Sequence, residues 1–391
     1  MLQRALILLA TVACVSAVGL FSSAFAQVGA DDTLFASTPV VTVANCNDAG
    51  AGSFRQAVEG TSGKRNIEFS VSCDLTLASA VTVNAGELWV RGETAPSPGF
   101  TIRGHRLEIK RGVVKVTHMR FRTGTGPSAT LQDSIAITGA SLGANPAACV
   151  GQRDMGNIIL DHVSATWSVD ENVQLWGCNL HNITVSNSII AEGLKTAGHP
   201  SGDHSMGLFV GDGAQNVLVW RNLIMSNQYR NPVLHGGTTS AVVNNWVHNP
   251  QNYAIHIYSS SVFTDGTKAA IIGNLISQGP NTRNDMQIGN GAGLSVNAGT
   301  QIYLSGNLQE GNLTALNVEE VPNATLVGTS PVTLPAWLTP ISAYSVVATL
   351  ANCADPAASD VGPLYKDATD IRLITEACAR GGSLKNAPVA E

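Results

Sequence analysis

Two short segments about sixty residues apart hold the side chains best suited to chemistry. The run LDHVSATWSVDEN, Leu160 to Asn172, sets Asp170 beside Glu171, with Gln174 just beyond. The run NQYRNPVLHG, Asn227 to Gly236, places Arg230 two residues before Pro232 and ends near His235. Acid groups able to hold a cation, facing a guanidinium fixed across a shared surface, would suit chemistry on an acidic polymer.

Such a surface has to be built by the elements between and around these runs. From about residue 65 the chain alternates short apolar stretches with Gly, Asn and Asp, and hardly any segment has helical period. Strands are expected at Ile67 to Val71, Ala80 to Val83, Leu88 to Arg91, Phe100 to Ile102, Arg106 to Lys110, Val113 to Phe121 and Ser134 to Thr138. Further strands are expected at Asn157 to Asp161, Asn182 to Ile190, Asn216 to Ile224, Ala241 to Val247, Ala269 to Leu275 and Gln301 to Leu308. The later ones share a form, seen in NITVSNSII, NVLVWRNLI, AVVNNWV, AAIIGNLI and QIYLSGNL, in which an asparagine follows the apolar run. These asparagines, Asn187, Asn222, Asn245, Asn274 and Asn307, fall 35, 23, 29 and 33 residues apart.

A near-constant core with variable insertions is the mark of stacked coils, which bury their apolar faces only against neighbours and send extra residues out as loops. Asn suits such a coil twice over, because it tolerates the left-handed conformation at a tight bend and its amides can stack along the axis. The fold class expected is all-β, a right-handed parallel β-helix. The intervals are too short and irregular for a propeller, and a sandwich gives no reason for asparagine to recur at one place. GSFRQAVEG, Gly52 to Gly60, reads as a short amphipathic helix capping the N-terminal end, with Phe54, Ala57 and Val58 on one side. Residues 27–322 are assigned to the β-helix. The Pro- and Ala-rich residues 323–391, with a helix at Asp370 to Arg380, are assigned to a C-terminal extension packing on it.

Residues 1–26 read as a signal peptide, with Arg4, an apolar stretch from Ala5 to Phe21, and Ala24-Phe25-Ala26 before the cleavage point. A secreted or periplasmic protein without a stable membrane anchor is expected. Losing Cys14 leaves six cysteines for an oxidising compartment. Fifteen pairings are possible; sequence neighbours are preferred, Cys46 with Cys73, Cys149 with Cys178 and Cys353 with Cys378, because each closes a loop of similar modest length. The formal charge of −6 becomes −7 without Arg4, which argues against nucleic acid as a partner and requires local cations for any anionic ligand. A monomer is expected.

The order GSFRQAV, ETAPSPGFTIRG, VTHMRFRTG, LDHVSATWSVDEN, HSMGLFVG and RNLIMSNQYRNP resembles the pectate lyase family of β-helix proteins, in particular its divergent bacterial members. The resemblance covers roughly residues 52–280. It implies an enzyme that cleaves α-1,4-galacturonan by β-elimination, with Ca2+ bridging enzyme and substrate carboxylates and an arginine as base. Arg230 matches that arginine. An arginine base is demanding, since its pKa normally lies above about 12, and it implies an alkaline optimum. For the ion, the resemblance implies Asp170 and Asp133, with Gln174 where the family supplies a second carboxylate, Leu131 where it supplies a partner to Asp133, and Glu171 as a compensating acid. His204 falls roughly at a substrate-binding lysine and His235 at a second, substrate-gripping arginine. Lys195 is a further cation near the same face.

Asp161-His162 and Trp167 read as turn architecture and packing. A glycoside hydrolase on the same scaffold needs two separated carboxylates, and adjacent Asp170 and Glu171 are expected on opposite faces of a strand. A non-catalytic glycan-binding solenoid is the other alternative.

Overall fold

The computed structural model describes residues 39–125, 132–141, 146–283, 296–310 and 324–390. The expected signal peptide and Leu131 lie outside the described residues. The chain winds into a right-handed parallel β-helix, with sheets of eleven, seven and nine strands among the described residues and every pairing there parallel. Each coil stacks like residues on like: Val116, Leu160, Val185, Val219, Val242, Ile271 and Leu304 lie in register along the eleven-stranded sheet. Burial of such apolar rows on the inner face is what each coil gains from its neighbours.

Several long expected strands are in fact two. Val113 to Phe121 divides into Val114–Thr117 and Arg120–Arg122, and Asn182 to Ile190 divides between Leu180–Ser186 and Ile189–Ala191. The corner between them is a single residue in the left-handed region: His118, His162, Asn187, Arg221, Asn244, Gly273 and Gly306 have φ of 54°, 52°, 47°, 56°, 53°, 62° and 61°. The next residue forms the ladder. Asn222 Oδ1 accepts from Ser188 N–H at 3.0 Å, and Asn245, Asn274 and Asn307 accept in turn from the backbone N–H groups of Asn222, Asn245 and Asn274 at 2.9 Å. Asn187 is therefore a corner, and Ser188 holds the ladder place expected for it. The two talents of asparagine are divided between consecutive positions.

The seven-stranded sheet was only partly foreseen. Its strands Val233–Leu234 and His256–Ile257 have only two residues each, Met206–Val210 is apolar throughout without alternation, and Glu171–Trp176 opens on the polar pair Glu171-Asn172.

At the N-terminal end the helix Phe54–Glu59 starts at Ser53, whose side chain accepts from Gln56 N–H, and buries Phe54, Ala57 and Val58. The three disulfides join Cys46 to Cys73, Cys149 to Cys178 and Cys353 to Cys378, as expected from sequence neighbours. The helix Ala368–Cys378, closed by an Asp367–Asp370 capping box, packs Leu373, Ile374 and Ala377 on Ile189, Leu223, Trp246 and Leu275 of the nine-stranded sheet. Among the described residues no helix is long and apolar enough to cross a membrane.

Candidate functional site

The site lies where the seven-stranded sheet turns its edge of polar residues outward. Ile135 pairs with Val173, which sets Asp133 beside Glu171 on the next coil. Glu171 pairs with Met206, and Met206 bridges to Tyr229, so Arg230 arrives beside the same row two coils on. Carboxylate oxygens of Asp133, Asp170 and Glu171 lie within 4.8 Å of one another. The expectation that Asp170 and Glu171 point to opposite faces is wrong: Asp170 sits in the bend before the strand, where strand alternation does not apply.

Arg230 is held in a left-handed turn, φ 61°. Asn231, fully buried, fixes that turn by accepting from Asn227 Nδ2 at 3.1 Å and donating to Tyr253 O at 2.9 Å. Leu208 N–H donates to Arg230 O at 2.7 Å. Gly207 admits this approach, since a Cβ there would overlap Arg230 O. The guanidinium packs over Phe209, 4.9 Å from the ring centroid, and pairs with Glu171.

Each acid has a basic side chain as partner. Arg106 donates to Asp133 at 3.1 Å, His204 Nε2 lies 2.7 Å from Asp170, and Arg230 meets Glu171. Burial, then the charge of Asp170, pushes the Asp133 carboxyl well above the usual range. For Asp170 burial acts upward but is outweighed by the bond to His204 and the charge of Arg230, so its pKa is lowered. Burial lowers the pKa of Arg230, against the opposing charges of Asp170 and Asp133. The three carboxylates cluster within 4.8 Å, and the donors they offer are all hard oxygens. The residues therefore fit Ca2+.

The remaining expected residues fall around this centre with different partners. Gln174 Nε2 donates to Glu171 at 3.1 Å, bracing that carboxylate. His204 is buried, its Nε2 directed at Asp170. Lys195 lies in the same loop, where its carbonyl accepts from His204 N–H at 2.8 Å and its ammonium faces Asp203 at 3.4 Å. His235 faces Asp212 at 2.8 Å and packs on Phe209 and Tyr258. The Phe209 ring touches both His235 and Arg230. Trp167 is fully buried and donates to Glu192, and Asp161 ties the corner by accepting from Ser186 and Asn187, as the packing and turn readings expected.

Sequence reasoning missed Arg106 and His199. Arg106-Leu-Glu108 has outward alternation that could have flagged a charged strand edge, but nothing local to His199 signals its neighbourhood. Its ring stacks on His204 at 3.6 Å between centroids, 11° from parallel.

No protein-family model matches the chain. A probable pectate lyase C from Neosartorya fischeri is 34% identical over 245 residues, 62% of this chain and 50% of that protein. The chain thus spans about half the length of the curated relatives it matches. A thermostable pectate lyase, PL 47, shares the fold with a TM-score of 0.53 at 13% identity, covering 79% of this chain and 89% of the other. The cedar pollen allergen Jun a 1 does so with a TM-score of 0.52 at 13% identity, covering 80% and 87%. The likeness in sequence points to the pectate lyases, and the solved structures share the stacked-coil architecture.

Proposed function

We propose that the chain is a polysaccharide lyase that cleaves pectate, or a related polyuronate, by β-elimination with Arg230 as the base. The observation that carries this reading is the placement of a guanidinium, its pKa lowered by burial, against three clustered carboxylates. Ca2+ held by Asp133, Asp170 and Glu171 would draw electron density from a uronate carboxylate and acidify the proton on the neighbouring ring carbon. Arg230 takes that proton, and to do so it must be neutral and turned from Glu171 toward the substrate. Phe209 and the Asn231-held turn limit how far it can move. Gln174 keeps Glu171 in place, and Arg106 keeps Asp133 in place.

His204, Lys195 and His235 are assigned to substrate binding around this centre. Residues 1–26 are assigned to a cleaved signal peptide, residues 27–322 to the lyase-like β-helix and residues 323–391 to an extension packed on it. The product is a secreted or periplasmic monomer. Its expected tie to bacterial members draws no support from the fungal relatives and is not part of the reading.

The test is ultraviolet absorbance of the unsaturated product on polygalacturonate at alkaline pH, with Ca2+ or with chelator. The wild type should gain absorbance only with Ca2+, and Arg230→Ala should lose about 10²–10⁴-fold in kcat, the usual worth of a positioned proton acceptor. Reducing ends without absorbance gain, or an unchanged rate in Arg230→Ala, would refute the proposal.

A further inference from the structure

Residues 384–389 take no part in the elimination, yet they hold the loop beside the carboxylates. Beyond the helix Ala368–Cys378, Leu384 N–H donates to Asn281 Oδ1 at 3.0 Å. Lys385 then pairs in parallel with Leu194, and its carbonyl accepts from Lys195 N–H at 2.7 Å. Val389, half-buried, packs on the cluster of Trp167, Val169 and Leu194, where Ala197 also packs.

The loop from Leu194 carries His204 at its far end. Lys195 closes it, since its N–H is held by Lys385 and its carbonyl accepts from His204 N–H at 2.8 Å. His204 Nε2 lies 2.7 Å from Asp170 Oδ1, and because an ionised carboxylate only accepts, the imidazole donates. Consecutive hydrogen bonds thus run from Lys385 through Lys195 and His204 to one carboxylate of the cluster. The main chain of Asp170 is fixed separately, by its N–H donating to Gln132 O at 3.1 Å. What the segment governs is the direction of the Asp170 side chain.

We infer that residues 384–389 are a positioning element of the candidate site, orienting Asp170 for Ca2+ through Lys195 and His204. This rests on the reading of Asp133, Asp170 and Glu171 as the Ca2+ ligands. Without the segment the loop loses its parallel bridge and the packing of Val389, and keeps at this end the bond from Leu194 N–H to Ser168 O at 2.8 Å. His204 then has no fixed frame from which to hold the carboxylate. A ligand group free to turn has to be ordered by the ion itself, which lowers affinity without removing any donor.

The experiment compares the full chain with one ending at Ser383, each stripped with chelator and titrated with Ca2+ in a calorimeter. The deletion removes Lys385 and Glu391 together, so the net charge is unchanged. The Kd for Ca2+ should rise about tenfold, the lower end of the loss expected when an outer support of a metal ligand is removed. In a His204→Ala background the same deletion should change Kd by less than about twofold, because the path to Asp170 is already cut. An unchanged Kd on deletion, or an equal rise with and without His204, would overturn the inference. If thermal unfolding shows that the shortened chain does not fold, Val389→Ser in the full chain carries the test: it should weaken Ca2+ binding when His204 is present and leave it unchanged in His204→Ala. A full chain that binds no Ca2+ refutes the ligand reading and this inference with it, whereas Ca2+ binding that ignores the segment refutes the inference alone.

Discussion

Asn245 is the strongest test of the asparagine ladder. Its side chain is fully buried, and its Oδ1 accepts from both the backbone N–H and the Nδ2 of Asn222 at 2.9 Å. Its Nδ2 donates to Val219 O and to Asn274 Oδ1, each at 2.9 Å. Asn245→Ala takes away the acceptor for a buried N–H and a donor from a buried carbonyl. At about 1–3 kcal/mol for each stranded group, the loss should be about 2–6 kcal/mol. Asn245→Ser should cost about half as much, because Ser188 fills the same place two coils earlier and its Oγ accepts from Val163 N–H at 3.1 Å. Asn307, partly exposed at the end of the ladder, accepts from Asn274 in the same way, but water can replace it, so Asn307→Ala should cost about 1 kcal/mol or less. Urea unfolding followed by far-ultraviolet circular dichroism and by tryptophan fluorescence gives all three values. Equal losses at 245 and 307, or a loss under about 1 kcal/mol at 245, would refute the ladder as an energetic element.

Arg122, buried, donates to Asp367 at 2.8 Å and to Asp370 at 2.7 Å, and Asp370 is also fully buried. Arg122→Met should lower stability by about 3–5 kcal/mol by leaving that acid uncompensated, and adding Asp370→Asn should restore part of it in thermal unfolding. Burial holds His248 and His256 down at about 4, so their contribution is full above pH about 6.5 and is lost as pH falls toward 4. For His162 burial acts downward but Asp161 and Asp360 raise it to about 9; its contribution is full below pH about 6.5 and lost as pH rises through 9. Stability measured against pH should decline at both ends, and His162→Gln should flatten the alkaline decline alone.

The repeat was legible because every coil solves one packing problem with the same residues. Its register was read one position early at Asn187, since a sequence of Asn-Ser does not say which residue turns the corner and which one stacks. The seven-stranded sheet was harder because two-residue strands such as Val233–Leu234 have no period to detect. Asp133, Asp170, Glu171 and Arg230 could be named from motifs, but their ion pairs could not. Arg106 reaches Asp133 from 27 residues away, and His199 reaches Asp170 from the far side of a loop; only the coil register brings them together. The direction of Asp170 depended on a bend just before the strand's first residue, a boundary that sequence patterns fix poorly.

A stack of coils is in principle a chain of nearest-neighbour couplings, free to fray from either end. The clamp between Arg122 and the helix Ala368–Cys378 joins residues 245 and 248 apart in sequence, and the same helix lies across strands from several successive coils. Opening one coil beneath it must disturb the helix, and through it the others. The molecule should therefore resist the gradual unravelling expected of an open repeat array and lose its middle coils together. It should also refold late at this joint, since the last segment has nowhere to dock until coils far upstream have closed.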